Sequence, residues 1–287
     1  MPELPEVETV CAGLRPALEG QVLRRVEVRR SDLRQPVPAD FASRLEGRRI
    51  TRLGRRGKYV LAHCEDDPVL IIHLGMSGRL TIIESGRAQN PGGFAHNGPP
   101  PGTHDHIELE TEAGARIVYS DHRRFGLMTL SAAKGLEEHP LFKAMGPEPL
   151  GPAFTAEALG ARLANKATSI RAALLDQRVL AGLGNIYVAE SLFRAGIAPR
   201  SKAGSLGPAR RARLVTAITA VLTEAIAAGG STLRDYAKTD GALGYFQHRF
   251  QVYGRGGEPC LAAGCGGRIR RSVESGRSSF HCPRCQR

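Results

Sequence analysis

The chain has 287 residues, with 40 lysines and arginines against 28 aspartates and glutamates, which gives a formal net charge of +12. This length suffices for one large or two modest domains, and 41% hydrophobic residues with 24% charged residues exclude wholesale disorder. No apolar run approaches the roughly 18 residues of a membrane span, and the acidic start is not a secretory signal. We therefore expect a cytoplasmic protein with a polyanionic partner, and nucleic acid fits better than a membrane.

The first segment is predicted to be a helix with one buried face, because its apolar residues recur at helical spacing. These residues are Val7, Val10, Cys11, Leu14 and Leu18. Pro5 suits the first helical turn, and Gly20 lies just past the expected end. Pro16 is expected to disturb the last turn.

Residues 22–130 are predicted to form mainly strands, because short β-rich runs recur between glycines, aspartates and prolines. The runs are VLRRVEV, RRITRL, KYVLAHC, VLIIHL, RLTII, HIELET, ARIVYS and LMTL. Many short strands at this spacing indicate an antiparallel sandwich or barrel. The Gly- and Pro-rich stretch 85–103 fits neither period, so we expect a long mobile surface loop there.

After residue 145 the hydrophobic period becomes helical, so GPEPLGP at 146–152 marks a domain boundary. Helices are expected at 155–165, around Ile170, and from the glycine-rich turn 181–185 to about Arg194. A longer helix should begin at Pro208 and end before the glycines at 229 and 230. The tail 239–287 holds eight arginines against three acids and is too short to form a core without a staple.

Four of the six cysteines lie in the last 28 residues, with the spacing Cys260-x4-Cys265-x16-Cys282-x2-Cys285. Two close pairs separated by a hairpin-length spacer can converge on one tetrahedral Zn²⁺. Four protein ligands close the site, so the metal is expected to be structural. Four incidental thiols and an iron–sulfur site are the alternatives, and the basic hairpin context favours zinc.

The N-terminus offers a candidate nucleophile. If Met1 is removed, Pro2 presents a secondary amine, and α-amino groups with a pKa of about 7.7–8.0 have a useful neutral fraction near pH 7. Attack on an aldehyde-like carbon would form an iminium, and the neighbouring Glu3 could shuttle protons. On these residues alone, ordinary helix capping by acidic first-turn residues is the stronger interpretation.

Basic and glycine-rich turns form a third group of candidates, at 54–58, 121–125 and 182–185. Glycine turns and helix N-termini present N–H groups to phosphate, and Asn185 is a good N-cap residue. An Arg-Phe pair such as Arg123 and Phe125 on a loop tip could enter an emptied base stack. Each feature alone also fits a solvated arginine pair, a packed phenylalanine or a helix cap.

Taken together, these motifs resemble one family, formamidopyrimidine-DNA glycosylase, a bifunctional enzyme that excises oxidised purines. The resemblance spans essentially the whole chain. It rests on PELPEVET at 2–9, GRRGKY at 54–59, HLGMSGRL at 73–80, HDH at 104–106, DHRRFG at 121–126, LLDQRVLAGLGNIYVAESLFRAGI at 174–197, GGSTLRDY at 229–236 and QVYGRGGEPC at 251–260, together with the cysteine spacing.

The resemblance implies an α+β protein whose N-terminal antiparallel β-sandwich bears the first helix. A C-terminal part would carry a helix–two-turns–helix element and a zinc β-hairpin, with domains at 1–146, 147–238 and 239–287. It further implies a monomer with one structural Zn²⁺ per chain. Double-stranded DNA containing oxidised purines would cross the cleft between the domains, with the damaged nucleotide turned out of the stack.

The resemblance also implies catalytic roles. Pro2 corresponds to the nucleophile that attacks C1′ and forms a Schiff base. Glu3 corresponds to the proton donor that assists opening of the deoxyribose, and Glu6 to a supporting carboxylate. Lys58 corresponds to the lysine that contacts phosphate and helps the first elimination, and Arg277 to the donor for the second.

Further positions match the family's DNA contacts and metal ligands. Met76, Arg123 and Phe125 correspond to the trio that fills the vacated stack and holds the orphaned base, normally cytosine. The expected backbone-binding residues are His104, Lys166 and Asn185. The expected zinc ligands are Cys260, Cys265, Cys282 and Cys285.

Three features depart from the family pattern: the four-residue gap after Cys260, His122 where proline is frequent, and the long 85–103 stretch. One rival interpretation is an endonuclease-VIII-like relative that excises oxidised pyrimidines, but Leu4 and the HLGMSG and RRFG motifs favour the purine enzyme. Another is a zinc-hairpin protein that only binds DNA, and the intact pair of Pro2 and Glu3 argues against it.

Overall fold

The computed structural model describes residues 1–91, 102, 104–231 and 245–287. They form two compact units. The first contains Met1–Lys143 and the segment that begins at Gly229, and the second contains Ala144–Ala228 and Tyr245–Arg287. Within these described ranges, no helix combines the length and the apolar character needed to cross a membrane.

The first unit begins with helix α1, Leu4–Leu18, and its predicted apolar face is confirmed. Every residue of the predicted stripe is buried against the sandwich. Pro16 lies inside the last turn, and the helix continues past it to Leu18. The chain then turns at Gly20, whose φ of +79° is a conformation that glycine adopts without steric cost.

The described part of this unit contains nine strands in two antiparallel sheets, and all eight predicted strands are confirmed. One sheet has the order β2-β3-β4-β9 and the other β1-β7-β8-β5-β6. The strands are β1 Leu23–Val28, β2 Ile50–Arg56, β3 Tyr59–Cys64, β4 Pro68–His73, β5 Arg79–Glu84, β6 Arg87–Gln89, β7 Asp105–Thr111, β8 Arg116–Ser120 and β9 Leu127–Ala132. A short helix, α2, spans Phe41–Leu45.

Strand β6 lies inside the 85–103 stretch, so the expected loop is wrong at its start. Ser85 and Gly86 both have positive φ, which matches the right-handed twist of a tight hairpin and lets the chain fold back on β5. The pairing of Ile82 with Gln89 then supplies backbone hydrogen bonds that no local pattern reveals. The remainder of the expected loop, 92–101 and 103, lies outside the described residues.

A large apolar cluster in the core of this unit includes side chains of α1 and of both sheets. Cys11 and Cys64 are part of it, as expected for small apolar residues. Burial raises the pKa of each thiol to about 11, so neither is a nucleophile near neutral pH.

The second unit begins with the predicted helices, which are α3 Ala156–Leu163, α4 Ile170–Leu175, α5 Asn185–Arg194 and α6 Pro208–Ala227. The N-caps of α3 and α4 are Thr155 and Ser169, whose hydroxyl oxygens accept hydrogen bonds from the N–H groups of Ala158 and Ala172. A proline in the first turn starts α6, as the sequence predicts.

The tail of this unit contains an antiparallel hairpin of β10, Arg270–Glu274, and β11, Arg277–His281. It shares a small core with Ala189 of α5. The buried carboxylate of Glu190 on α5 accepts hydrogen bonds from the N–H groups of Gln251, Val252 and Tyr253, at 2.8–3.0 Å. Burial raises the pKa of Glu190, and these three donors oppose the rise. The carboxylate thus fixes residues 251–253 of the tail to helix α5.

Candidate active site and nucleic-acid interface

The chain start is built around two buried carboxyl groups. Glu3 is the N-cap of α1, and its N–H donates to Oε2 of Glu6 at 2.9 Å, so the two residues form a capping box. Each is only 3% exposed. Negative charge is favoured at a helix N-terminus, so the capping role explains why both acids are stable beside half-buried Pro2.

Glu6 has a second function within the same unit. Its Oε1 accepts hydrogen bonds from the N–H and the hydroxyl of Ser231, at 2.8 and 3.0 Å. With the bond from Glu3, three donors hold this carboxylate in one orientation. Glu6 therefore joins the chain start to the segment that follows Gly229.

Met1 determines whether the chain start can act as a nucleophile. While Met1 is present, the nitrogen of Pro2 is an amide without basic character, and its removal would generate a secondary amine. Burial lowers the pKa of the Met1 ammonium, although Glu3 and Glu6 raise it. Burial thus favours the neutral form of the amine at the chain start.

Two cations lie within electrostatic range of the chain start. Lys58 and Arg123 both contribute to lowering the pKa of the Met1 ammonium. Lys58 is 8% exposed and lies in the turn between β2 and β3. The structure thus brings Glu3, Glu6, Lys58 and Arg123 around the position expected for the nucleophile.

Helix α1 also supports the turn that carries Lys58. Arg55 donates from Nε to Glu8 on α1 at 3.0 Å, and from Nη1 to the carbonyl of Gly57 at 2.8 Å. We expected a turn over 54–58, but residues 54–56 complete β2 and only Gly57 and Lys58 turn. Sequence reasoning missed Glu8, and it singled out Arg55 only as part of the basic group at 54–58.

A group of exposed side chains protrudes from two neighbouring loops of the sandwich. Met76 and Phe125 are each 47% exposed, which is unusual for large apolar residues. The guanidinium of Arg123 lies 4.7 Å from the centre of the Phe125 ring, in a cation–π contact. Half-buried His104 lies near the loop that carries Arg123 and Phe125, with its ring centre 6.2 Å from that of His122.

His73, which the sequence analysis did not single out, is a buried neutral imidazole at the end of β4. Its Nδ1 accepts the N–H of Gly75 at 3.0 Å, so Nε2 carries the proton. Burial, with smaller contributions from Arg34 and Lys58, lowers the pKa of His73 to about 4. Protonation would break the bond to Gly75 and add a cation beside Lys58.

Stability should therefore fall in acid. Between pH 6.5 and 4 the unfolded chain protonates His73 while the folded chain does not, so acid favours unfolding. The loss is about 1.4 kcal/mol per pH unit and about 3 kcal/mol over this window. Urea unfolding of the wild type and of His73→Gln at pH 7 and pH 4.5 measures it, and equal pH dependence in the two proteins would contradict this account.

Asn185, which was expected to contact the DNA backbone and which also fits an N-cap by residue type, is the first residue of helix α5. The N-cap of α5 is Gly184, which has the extended backbone of that position, so the N-cap prediction is wrong. The Asn185 side chain instead donates from Nδ2 to the carbonyl of Ser278 at 2.8 Å and accepts from Arg171 at 2.6 Å. Arg171 is buried and also donates to the Ser278 carbonyl at 3.2 Å. Both side chains hold the hairpin next to Arg277.

The expected catalytic residue Arg277 and the expected DNA-binding residue Lys166 are more accessible. Arg277 is exposed at the start of β11, directly after the turn formed by Ser275 and Gly276. Lys166 is half-buried and follows Asn165, whose φ of +61° ends helix α3 in a left-handed turn. The second unit therefore contains Lys166, Asn185 and Arg277, and the remaining DNA-contact candidates belong to the first unit.

The four tail cysteines converge as the spacing predicts. Their sulfur atoms all lie within 4.8 Å of one another, and three of the separations are 3.8, 3.6 and 3.3 Å. Tetrahedral zinc with Zn–S bonds of about 2.3 Å requires sulfur separations of about 3.8 Å. The cluster fits one structural Zn²⁺ held by Cys260, Cys265, Cys282 and Cys285.

The long gap after Cys260 is accommodated by a local turn. The N–H of Cys265 donates to the carbonyl of Ala262 at 3.1 Å, which brings the second thiol back to the first. Leu261 remains 58% exposed in this knuckle. His281, next to Cys282 in the chain, is not a member of this cluster.

Comparisons with known proteins agree with this geometry. The sequence pattern of the formamidopyrimidine-DNA glycosylase N-terminal domain matches residues 1–128, and that of its H2TH (helix–two-turns–helix) domain matches residues 145–237. The formamidopyrimidine-DNA glycosylase of Cereibacter sphaeroides is 57% identical over 287 residues, which is 100% of both chains.

Two solved structures have the same fold. The MutM (Fpg) protein of Thermus thermophilus is 40% identical with a TM-score of 0.83, covering 99% of this chain and 98% of its own. A Lactococcus lactis Fpg variant in complex with DNA containing Fapy-dG is 33% identical with a TM-score of 0.85, and each chain is covered completely. The helix–two-turns–helix prediction is thereby confirmed, and the chain belongs to the formamidopyrimidine-DNA glycosylase family.

Proposed function

We propose that this chain is a monomeric, cytoplasmic DNA glycosylase and AP lyase of base excision repair that excises oxidised purines, namely 8-oxoguanine and formamidopyrimidines, from duplex DNA. The observation that carries the proposal is the chain start, where Glu3 and Glu6 are buried beside Pro2 and two cations lie within electrostatic range. The Lactococcus lactis relative has been solved with DNA containing Fapy-dG and with DNA containing an abasic site.

The first chemical step joins the protein to the sugar. The neutral amine of Pro2, freed by removal of Met1, attacks C1′ and forms the N–C1′ bond as the bond from C1′ to the damaged base breaks. Glu3 gives a proton to the ring oxygen O4′ when the C1′–O4′ bond opens, and the proton that the amine loses neutralises the departing base. The product is an iminium, C1′=N⁺, bonded to Pro2.

The strand is then cut by two eliminations. The iminium acidifies the hydrogen at C2′, so removal of that proton expels the 3′ phosphate by breaking the C3′–O bond. The extended conjugation permits a second proton loss and breakage of the C5′–O bond. Lys58 assists the first departure and Arg277 the second, because each cation stabilises the charge on the leaving phosphate.

The exposed loops account for access to the damaged nucleotide. Turning a nucleotide out of the stack costs a few kcal/mol. Met76 and Phe125 replace the lost stacking, and Arg123 holds the orphaned cytosine by its hydrogen-bond donors. His104, Lys166 and Asn185 bind the DNA backbone, and these contacts determine position rather than sequence.

The zinc hairpin presents Arg277 to the DNA. When bound, Zn²⁺ supplies folding free energy, about 10–16 kcal/mol in zinc-finger peptides. Cys260, Cys265, Cys282 and Cys285 hold it, while Asn185 fixes the Ser278 carbonyl beside Arg277. No further role of the metal is needed for the chemistry.

Excision assays on defined duplexes test the lesion class. We expect kcat/KM for 8-oxoguanine opposite cytosine to exceed that for thymine glycol by about 10-fold or more, because binding differences of a few kcal/mol separate such lesions. Glu3→Gln is the matched control and should lose excision of both lesions. A clear preference for thymine glycol would instead assign the chain an endonuclease-VIII-like activity.

A further inference from the structure

Two connections of the sandwich run side by side at one end. Residues 74–78 join β4 to β5, and residues 121–126 join β8 to β9. His73 at the end of β4 pairs with Leu127 at the start of β9, and Arg79 pairs with Ser120 in the other sheet. Both connections therefore cross between the sheets at the same end, one carrying Met76 and the other Arg123 and Phe125.

A single buried carboxylate joins the two connections. Asp121 is 1% exposed. Its Oδ1 accepts a hydrogen bond from the hydroxyl of Ser77, and its Oδ2 accepts from the N–H of Gly126 at 2.8 Å and from the hydroxyl of Tyr119 at 3.2 Å. One side chain thus receives donors from the first connection, from the end of the second and from strand β8.

The same contacts extend to the backbone of Arg123. Its N–H donates to the Ser77 hydroxyl oxygen at 3.2 Å, so Ser77 links Asp121 to the residue that carries the exposed guanidinium. The two connections are also in close contact at their glycines. A Cβ on Gly75 would collide with the backbone of Phe125 and Gly126, which leaves no room for one connection to shift against the other.

The tips of the two connections are exposed, although their bases are buried. Met76 and Phe125 at the tips are about half exposed. A rigid base under exposed tips fixes the distance between groups that must enter a gap of defined size. A misplacement of about 1 Å costs up to about 100-fold in rate when groups must fit a defined geometry.

We propose that Asp121 is a positioning residue that sets the spacing of Met76 relative to Arg123 and Phe125, and thereby the discrimination of the base opposite the lesion. The inference rests on the proposed function, which assigns these three side chains to the emptied stack. Asparagine at this position retains the size of the side chain but offers one acceptor oxygen in place of two. Its amide N–H₂ would therefore face a hydrogen-bond donor that the second carboxylate oxygen of Asp121 now satisfies.

The test compares Asp121→Asn with wild type on 8-oxoguanine placed opposite cytosine or adenine. We expect the variant to lower the cytosine-to-adenine ratio of kcat/KM by about 10-fold or more. Borohydride capture of an abasic site in single-stranded DNA has no opposite base, so it should remain within about 2-fold of wild type. Asp32→Asn is the matched control, because Asp32 is an exposed acid that pairs with Arg124 of the same connection at 3.1 Å.

Ser77→Ala provides a second, milder variant that removes one link and should lower the ratio in the same direction. An unchanged ratio in a variant that still captures single-stranded DNA would overturn the inference, as would an equal loss in both assays. If the wild-type chain failed to excise 8-oxoguanine, the proposed function would be overturned and the inference with it. If it excised the lesion normally and only the Asp121 effect were missing, the proposed function would stand.

Discussion

Keeping the nitrogen of Pro2 in a peptide bond is expected to abolish covalent capture of damaged DNA. An N-terminal extension that cannot be removed leaves an amide where the mechanism requires an amine, and an amide cannot form an iminium. Loss of the nucleophile should lower strand cleavage by about 10³-fold or more. Borohydride trapping on a duplex with 8-oxoguanine, together with the intact mass of the protein, measures both the adduct and the state of the chain start.

Two controls separate the amine from the fold. The same extension placed at the C-terminus should leave trapping unchanged, and Pro16→Ala should also be neutral because Pro16 is exposed on the same helix. Pro2→Gly should lose most of the adduct. A fully active preparation whose mass shows that Met1 is retained would contradict the assignment of Pro2 as nucleophile.

Removal of one zinc ligand is expected to have the second large effect. Cys282→Ser should release the metal, because the substitution removes one of the four thiol ligands. It also disturbs the small core beneath the hairpin, of which Cys282 is a part. The affinity for damaged duplex DNA should fall by about 100-fold or more, since the hairpin would no longer present its positive charge to phosphate as proposed. Elemental analysis measures the zinc content, and fluorescence anisotropy with labelled DNA measures the affinity.

The sandwich provides an internal reference for this variant. It lies in the other compact unit with its own core, so its β-sheet circular dichroism should persist. Cys64→Ser is the matched control, because Cys64 is buried in β3 away from the metal cluster and should retain both zinc and DNA affinity. Normal metal content and normal binding in Cys282→Ser would show that the cluster has no structural role.

Local sequence patterns predicted most helices and strands. They failed where the structure of a segment depends on residues distant in the chain. The apolar stripe of α1 and the proline that starts α6 were sufficient, because helix faces and first turns depend on residues close in sequence. Strand β6 was missed, since Arg87–Gln89 has no strand pattern of its own and is held by β5. Residue type made Asn185 a possible N-cap beside its expected DNA contact, but its side chain donates to the hairpin carbonyl of Ser278.

The sequence by itself determined five of the six described α-helices, eight of the strands, the four-cysteine cluster and the family, since these depend on spacing and on ordered motifs. The short helix α2 was not predicted. Only the tertiary structure showed that Asp121 accepts bonds from Ser77, that Glu6 holds Ser231, and that His73 is a neutral imidazole. Aspartate, glutamate and histidine are common residues whose chemistry depends on burial and on donors distant in the chain. Their roles become visible only when the folded chain brings those donors within hydrogen-bond distance.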